Sequence, residues 1–319
     1  MNTKKKILLG YQIKREILIP LEQDFEFICP ENDFFHKHEL IALLEGFDVF
    51  VPGWIFKTDK TIIDSGKNLK LIAICGAGYN HVDVDYAISK GITVTHTPNS
   101  VTEPTAELCF GLMLATARKI AFFDRQMRKP ELFDYGFLDH LGTSLYGKRL
   151  GIFGMGRIGR ALAKRALASG MNIIYHDIQP LSKETEEKYQ ARYVDFDELL
   201  SESDVISLHV PATDKTYHII GEKEFGKMKS SAILINTARG SLIDESALLK
   251  ALTEKKIQSA GLDVFEREPY FDDEFKNLDN VVLTAHIGAR TLNTSLNMDR
   301  EVVSNILGFF NGGSISKVN

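Results

Sequence analysis

Gly154, Gly156 and Gly159 stand in the run Gly154-Met155-Gly156-Arg157-Ile158-Gly159, where an apolar stretch ending at Phe153 gives way to an alanine-rich helical pattern. This G-x-G-x-x-G arrangement is that of a dinucleotide pyrophosphate site. The first glycine permits a tight turn, the second lets backbone N–H groups approach a phosphate, and the third lets the helix pack closely on the strand. The N-terminus of that helix then faces the anion. Alone, the pattern is weak evidence. A second apolar run, 171–175, leads to Asp177, 18 residues beyond Gly159, where an acid binds ribose hydroxyls. An aspartate there repels a 2′-phosphate, so charge favours NAD over NADP.

Three more polar residues each follow an apolar run: Arg239 after 233–238, Glu268 after the run that closes at Phe265, and His286 after 281–285. Ligands of doubly wound sheets bind outside the carboxyl ends of the strands. Oxidation of a 2-hydroxy acid needs a cation for the carboxylate, a base for the hydroxyl proton and a group that tunes the base. Arginine offers a planar fork that matches a carboxylate. Histidine takes and returns a proton near neutrality. A glutamate behind it fixes the tautomer and favours the imidazolium. Singly, each has a bland reading: a turn at Arg239-Gly240, a solvated loop at Glu268-Pro269, a surface or core histidine. Their joint placement behind a nucleotide motif favours chemistry.

These groups need a scaffold, and the chain is long enough for one. Its 319 residues suit two domains with a large core. At 44% hydrophobic and 25% charged it reads as a folded globular protein. A net charge of −5 supplies no field for nucleic acid or anionic lipid, and neither is expected as a partner. The basic start Lys4-Lys5-Lys6 is followed by too short an apolar run for a signal peptide. No stretch reaches the roughly 18 apolar residues of a membrane span. The cysteines, Cys29, Cys75 and Cys109, are scattered, which fits a reduced cytoplasm. Cys75 and Cys109 lie in apolar runs and read as small buried hydrophobes. His36 and His38 lack a third ligand at recognisable spacing, so no metal is expected and a solvated helix start is the better reading.

Short β-rich runs alternate with helical patterns throughout, the signature of parallel α/β sheets. A first series, at 6–10, 25–29, 48–51, 71–75 and 93–96, predicts a five-stranded flavodoxin-like unit. A second, at 149–153, 173–175, 205–210, 232–236, 259–264 and 281–284, predicts a Rossmann unit. Between them a long helix is expected to open at Thr102, with Pro104 near its first position and acids in its first turn. A further helix is expected over 293–310. The expected class is α/β, two doubly wound parallel-sheet domains, with a Rossmann cofactor domain (101–289) inserted into a flavodoxin-like substrate domain (1–100 plus 290–319). The chemistry is then expected in the cleft between them. The segment 121–147 carries Phe122, Phe123, Phe133, Tyr135, Phe137 and Leu138, too apolar for a solvated loop and too irregular for a helix. Its aromatic enrichment favours an interface arm and a homodimer over an intramolecular cover packed on the same chain.

The ordered motifs Gly154 to Gly159, Asn236-Thr237-Ala238-Arg239-Gly240, Gly261-Leu262-Asp263-Val264-Phe265-Glu266-Arg267-Glu268-Pro269 and His286-Ile287-Gly288 together resemble the NAD-dependent D-isomer-specific 2-hydroxyacid dehydrogenase family. The likeness spans nearly the whole chain. It implies that Arg239 binds the substrate carboxylate and 2-oxygen, that His286 is the acid/base and that Glu268 is its partner. It also implies Asp263 near the nicotinamide carboxamide, with Val210, Pro211, Thr237, Ala238 and Gly288 lining NAD beside Met155, Arg157 and Ile158 of the glycine turn. Gly76-Ala77-Gly78 resembles the family's substrate loop, whose N–H groups hold the carboxylate, and its composition suits a small anion nest. The implied ligand is a 2-hydroxy or 2-oxo acid.

Two positions depart from the family's usual pattern without removing a catalytic group: Asn80-His81 follows the loop, and Ala285 rather than proline precedes His286. Gly53 stands about where phosphoglycerate enzymes of the family carry a basic residue. A phosphorylated substrate is therefore disfavoured, although Arg290 near His286 is an alternative source of charge. The Tyr86 and Lys90 pair has the spacing of short-chain dehydrogenases but lies upstream of the nucleotide motif, the wrong order. Glu268 argues against a formate dehydrogenase, which has glutamine there. The competing class is an NADH-sensing binding protein, like the corepressors related to this family, with little turnover.

Overall fold

The computed structural model describes residues 4–53, 57–128 and 139–318. It divides into two compact units, Met1–Val101 with Thr291–Asn319, and Thr102–Arg290. The first holds five strands, β1 (Lys5–Leu9), β2 (Phe25–Ile28), β3 (Val49–Val51), β4 (Leu71–Ala73) and β5 (Thr93–Thr95). They form one sheet in the order β2-β1-β3-β4-β5, with every pairing parallel. Side chains on a strand alternate between faces, so the consecutive apolar residues of β1 serve two cores. Ile7 and Leu9 pack with Val302, Val303 and Ile306 of the Leu292–Asn311 helix. Leu8 points the other way, against Leu40, Leu44 and Ile62. All three strand residues are fully buried, each stabilising the fold by roughly 1.5–3 kcal/mol.

The second unit holds β6 (Arg149–Phe153), β7 (Asn172–His176), β8 (Ala191–Tyr193), β9 (Val205–Leu208), β10 (Ile233–Asn236), β11 (Ser259–Leu262) and β12 (Val281–Leu283). The order is β12-β11-β10-β9-β6-β7-β8, again all parallel. The chain starts in the middle, winds outward to β8, then returns to lay β9 beside β6 and winds the other way. Strand order reverses between β6 and β9, the point where doubly wound sheets bind dinucleotides.

Both parallel sheets agree with the sequence reading, and its errors have physical causes. β8 was not anticipated, because three residues with Arg192 at the centre show no apolar run. The long helix spans Pro98–Ala117, so it begins at Pro98 rather than Thr102 and Pro104 lies inside it. Its first turn is held by the distant Glu301, whose carboxylate accepts from the N–H groups of Asn99 and Ser100. That cap cannot be read from the local sequence. In the segment 121–147 a regular helix occupies Ile120–Met127, with Phe122 buried against Phe123 and His140. Phe133, Tyr135, Phe137 and Leu138 lie outside the described residues.

Burial pushes the thiols of Cys75 and Cys109 up to about 12 and about 11, so both stay protonated at neutral pH. Among the described residues no helix is long and apolar enough to cross a membrane.

Candidate active site

The three glycines after β6 each meet a different environment. Gly154 has φ 99°, and a Cβ there would lie 2.8 Å from the carbonyl carbon of His209. A Cβ on Gly159 would lie 2.3 Å from the Gly154 carbonyl oxygen. At Gly156 nothing stands within 4 Å. One glycine therefore makes the turn, one lets helix and turn touch, and one leaves open space. Gly156 is also the N-cap of the Arg157–Ala168 helix and offers no side chain to its first N–H groups. An uncapped, open helix start of this kind fits a pyrophosphate.

Asp177 reaches the same turn from the end of β7. Its Oδ2 accepts from the Met155 N–H at 2.8 Å and its Oδ1 from the Ile178 N–H at 2.7 Å. The acid thus braces the glycine turn from the end of its strand. Val210 and Pro211 follow β9, and Thr237 and Ala238 follow β10. The Ala238 N–H is fixed on Asn236 Oδ1 at 3.0 Å.

His286 and Glu268 are brought together although 18 residues apart, with His286 Nδ1 and Glu268 Oε2 separated by 2.6 Å. An ionised carboxylate only accepts, so Nδ1 carries the proton and Nε2 is left for proton exchange. The other carboxylate oxygen, Oε1, accepts from the Phe265 N–H at 3.0 Å. Burial pushes the Glu268 carboxyl up, but the hydrogen bonds of His286 and Phe265 and the charges of His286 and Arg239 outweigh it and leave it below its ordinary value. Arg239 feels Glu268 in turn. Desolvation pulls the guanidinium down, the carboxylate supports it, and arginine stays charged. The second unit therefore brings His286 against Glu268, with Arg239 near enough for its charge to act on the carboxylate.

Two supports of this cluster were not evident in the sequence. Asp263, at the end of β11, is fully buried and holds the histidine turn. Its Oδ1 accepts from the Ile287 N–H at 2.8 Å and from Thr284 Oγ1 at 2.6 Å, and its Oδ2 from the Gly288 N–H at 2.9 Å. Its backbone oxygen accepts from the His286 N–H at 2.8 Å. This wrapping keeps His286 at φ 51°, an uncommon conformation for a residue with a Cβ. Gly240 is the second support: a Cβ there would fall 1.9 Å from the Phe265 carbonyl carbon. The backbone next to Arg239 thereby touches the loop that carries Glu268. The glycine beside an arginine was the available signal, and it reads as an ordinary turn.

In the first unit, Gly76, Ala77 and Gly78 follow β4. Gly76 has φ 139°, and its N–H donates to Thr97 Oγ1 at 2.6 Å. The Ala77 carbonyl accepts from His96 Nδ1 at 2.9 Å. Among the described residues no group of three or more His, Cys, Asp or Glu is arranged to hold a metal ion.

Comparison with known proteins bears on this geometry. Residues 110–288 match the profile of the D-isomer specific 2-hydroxyacid dehydrogenase NAD binding domain. The glyoxylate reductase of Thermococcus litoralis is 49% identical over 314 residues, covering 97% of this chain and 95% of that protein. The crystal structure of a glyoxylate reductase from Paecilomyes thermophila superposes with a TM-score of 0.90 at 36% identity, over 99% of this chain and 98% of that one. The NADPH-dependent glyoxylate/hydroxypyruvate reductase of Sinorhizobium meliloti, solved with NADP and malonate, gives a TM-score of 0.87 at 30% identity, over 99% of this chain and 97% of the other.

Proposed function

Because the chain belongs to the D-isomer-specific 2-hydroxyacid dehydrogenase family, we propose that it interconverts a D-2-hydroxy acid and its 2-oxo acid using NAD(H), with His286 as acid/base and Arg239 on the carboxylate. The observation that carries this reading is the His286 Nδ1 to Glu268 Oε2 contact of 2.6 Å, which leaves Nε2 as the proton-transferring atom.

The nicotinamide, when bound, supplies the hydride acceptor or donor for C2. The residues from Gly154 to Gly159 hold its pyrophosphate, Asp177 its ribose hydroxyls, and Val210, Pro211, Thr237, Ala238, Asp263 and Gly288 line it. In the oxidation direction His286 Nε2 takes the hydroxyl proton, and Glu268 stabilises the resulting imidazolium. In reduction the same nitrogen returns the proton to the 2-oxygen. Proton transfer of this kind contributes about 10²- to 10⁴-fold. The Arg239 fork fixes the acid, which makes the transfer a positioning effect. For the first unit, we propose that the N–H groups of Ala77 and Gly78 bind a carboxylate.

Glyoxylate and hydroxypyruvate are the first substrates to test, since the similar proteins are named as reductases of these acids. The test is a panel of 2-oxo acids run with NADH and with NADPH, on the protein and on His286→Ala. Turnover with NADH that His286→Ala abolishes supports the reading. Tight NADH binding without turnover would instead identify a sensor. We further propose a cytoplasmic homodimer joined through the segment 121–147. Exposed Ile120, Met127, Leu141 and Tyr146 in and beside that segment support it, and light scattering on the eluted protein tests it.

A further inference from the structure

We infer that His96 is a positioning residue for the carboxylate, holding the Gly76-Ala77-Gly78 loop so that the Ala77 and Gly78 N–H groups face the substrate. The inference rests on the proposed role of that loop.

In a trans peptide the carbonyl and the following N–H point in opposite directions, and the cis bond among the described residues lies elsewhere, at Glu268–Pro269. Gly76 turns its carbonyl to the Thr97 N–H at 2.9 Å, so the Ala77 N–H points away from Thr97. Ala77 turns its carbonyl to His96 Nδ1 at 2.9 Å, so the Gly78 N–H points away from His96. Neither N–H donates a hydrogen bond among the described residues. Two successive N–H groups aimed outward make an anion nest, and the two carbonyl anchors set their direction.

The Thr97 anchor runs through backbone atoms and its own hydroxyl, whereas the second anchor is a ring that a substitution can remove. A carbonyl only accepts, so His96 Nδ1 carries a proton. The backbone that carries the ring is itself held: the His96 N–H donates to the Ser316 carbonyl at 3.0 Å, and its carbonyl accepts from Asn305 Nδ2 at 3.0 Å. Tyr79 meets the ring edge-on, with centroids 5.8 Å apart. Without the Nδ1 bond the Ala77–Gly78 peptide is free to rotate, and the second donor is lost in a fraction of the molecules.

The test compares His96→Phe, which keeps a ring against Tyr79 but has no donor, with His96→Asn, whose amide nitrogen occupies the same bond position as Nδ1. For His96→Phe the KM for glyoxylate should rise about tenfold, the worth of one positioning hydrogen bond. Its kcat should stay within about twofold and its KM for NADH should not move. His96→Asn should recover most of the loss. An unchanged KM in His96→Phe, or an Asn variant as impaired as the Phe variant, overturns the inference. A crystal of the unaltered protein with NADH and oxamate separates the two levels of the argument. A carboxylate bonded to the Ala77 and Gly78 N–H groups upholds the loop's role, so that wild-type kinetics in His96→Phe then count against His96 alone. A carboxylate bound elsewhere overturns both.

Discussion

Glu268 bridges two parts of its own unit: Oε2 lies 2.6 Å from His286 Nδ1, while Oε1 accepts from the Phe265 N–H at 3.0 Å. The second bond orients the carboxylate, so its first bond fixes which imidazole nitrogen is left to exchange a proton.

Glu268→Gln should therefore keep the fold and lose rate. An amide has one accepting oxygen and no charge, so it cannot serve both partners and no longer favours the imidazolium. We expect kcat for 2-oxo acid reduction to fall about tenfold to a hundredfold. Steady-state rates at saturating glyoxylate and NADH check this, and an unchanged kcat would remove Glu268 from the mechanism.

Arg239→Lys tests the carboxylate fork. An ammonium cannot make the two parallel bonds of a guanidinium, and losing one charged hydrogen bond costs about 1.5–3 kcal/mol. The KM for glyoxylate should rise roughly ten- to a hundredfold, with the KM for NADH little changed. A lysine variant with the parent KM would place the carboxylate elsewhere.

Most of the architecture, and the candidate glycine turn after β6, were legible beforehand for physical reasons. Strands buried on both faces, such as β6 and β10, read as continuous apolar runs, and Gly154 and Gly159 report backbone constraints that no other residue meets. What could not be read depends on contacts distant in sequence. The Glu301 carboxylate that starts the Pro98–Ala117 helix is more than two hundred positions from Ser100. The resemblance puts Asp263 near the nicotinamide carboxamide, but nothing in the local sequence shows that its two oxygens also hold the turn bearing His286. Propensity has no access to such pairings, which exist only once the sheets have assembled.

Asp177 makes cofactor choice testable. Its carboxylate should repel a 2′-phosphate and bind a free 2′-hydroxyl. Replacing it with serine should raise the KM for NADH about tenfold and narrow the preference for NADH over NADPH. Part of the loss will come from the Met155 N–H, which loses its acceptor. If the parent enzyme uses NADPH better than NADH, the assigned role of Asp177 is wrong.

The glycine turn predicts opposite failures at two neighbouring positions. A methyl at Gly159 meets the Gly154 carbonyl oxygen at 2.3 Å, and relieving such overpacking costs about 1–3 kcal/mol. Gly159→Ala should lower the melting temperature. Gly156→Ala has open space around it and should melt like the parent, while its Cβ intrudes where the pyrophosphate approaches. Its KM for NADH should rise on the order of tenfold. Equal melting temperatures for the two variants, or an unchanged NADH KM in Gly156→Ala, would contradict the division of roles.

His209, beside the glycine turn, makes one contribution to stability in acid testable. Burial pushes its imidazole down to about 4, and its Nε2 lies 2.8 Å from Ser207 Oγ. In the unfolded chain it titrates near 6.5. Between these values the unfolded state binds a proton that the folded state refuses, so stability is complete above about pH 6.5 and declines as pH falls toward 4. From pH 7.5 to 5 the loss from this one group amounts to about 2 kcal/mol. His209→Gln has no titrating group and should lack that part of the decline, although losing the ring lowers its stability by a constant amount. Urea unfolding midpoints at the two pH values decide the matter. The parent must fall further than the variant, and parallel declines would mean that the imidazole is solvated enough to protonate in the native state.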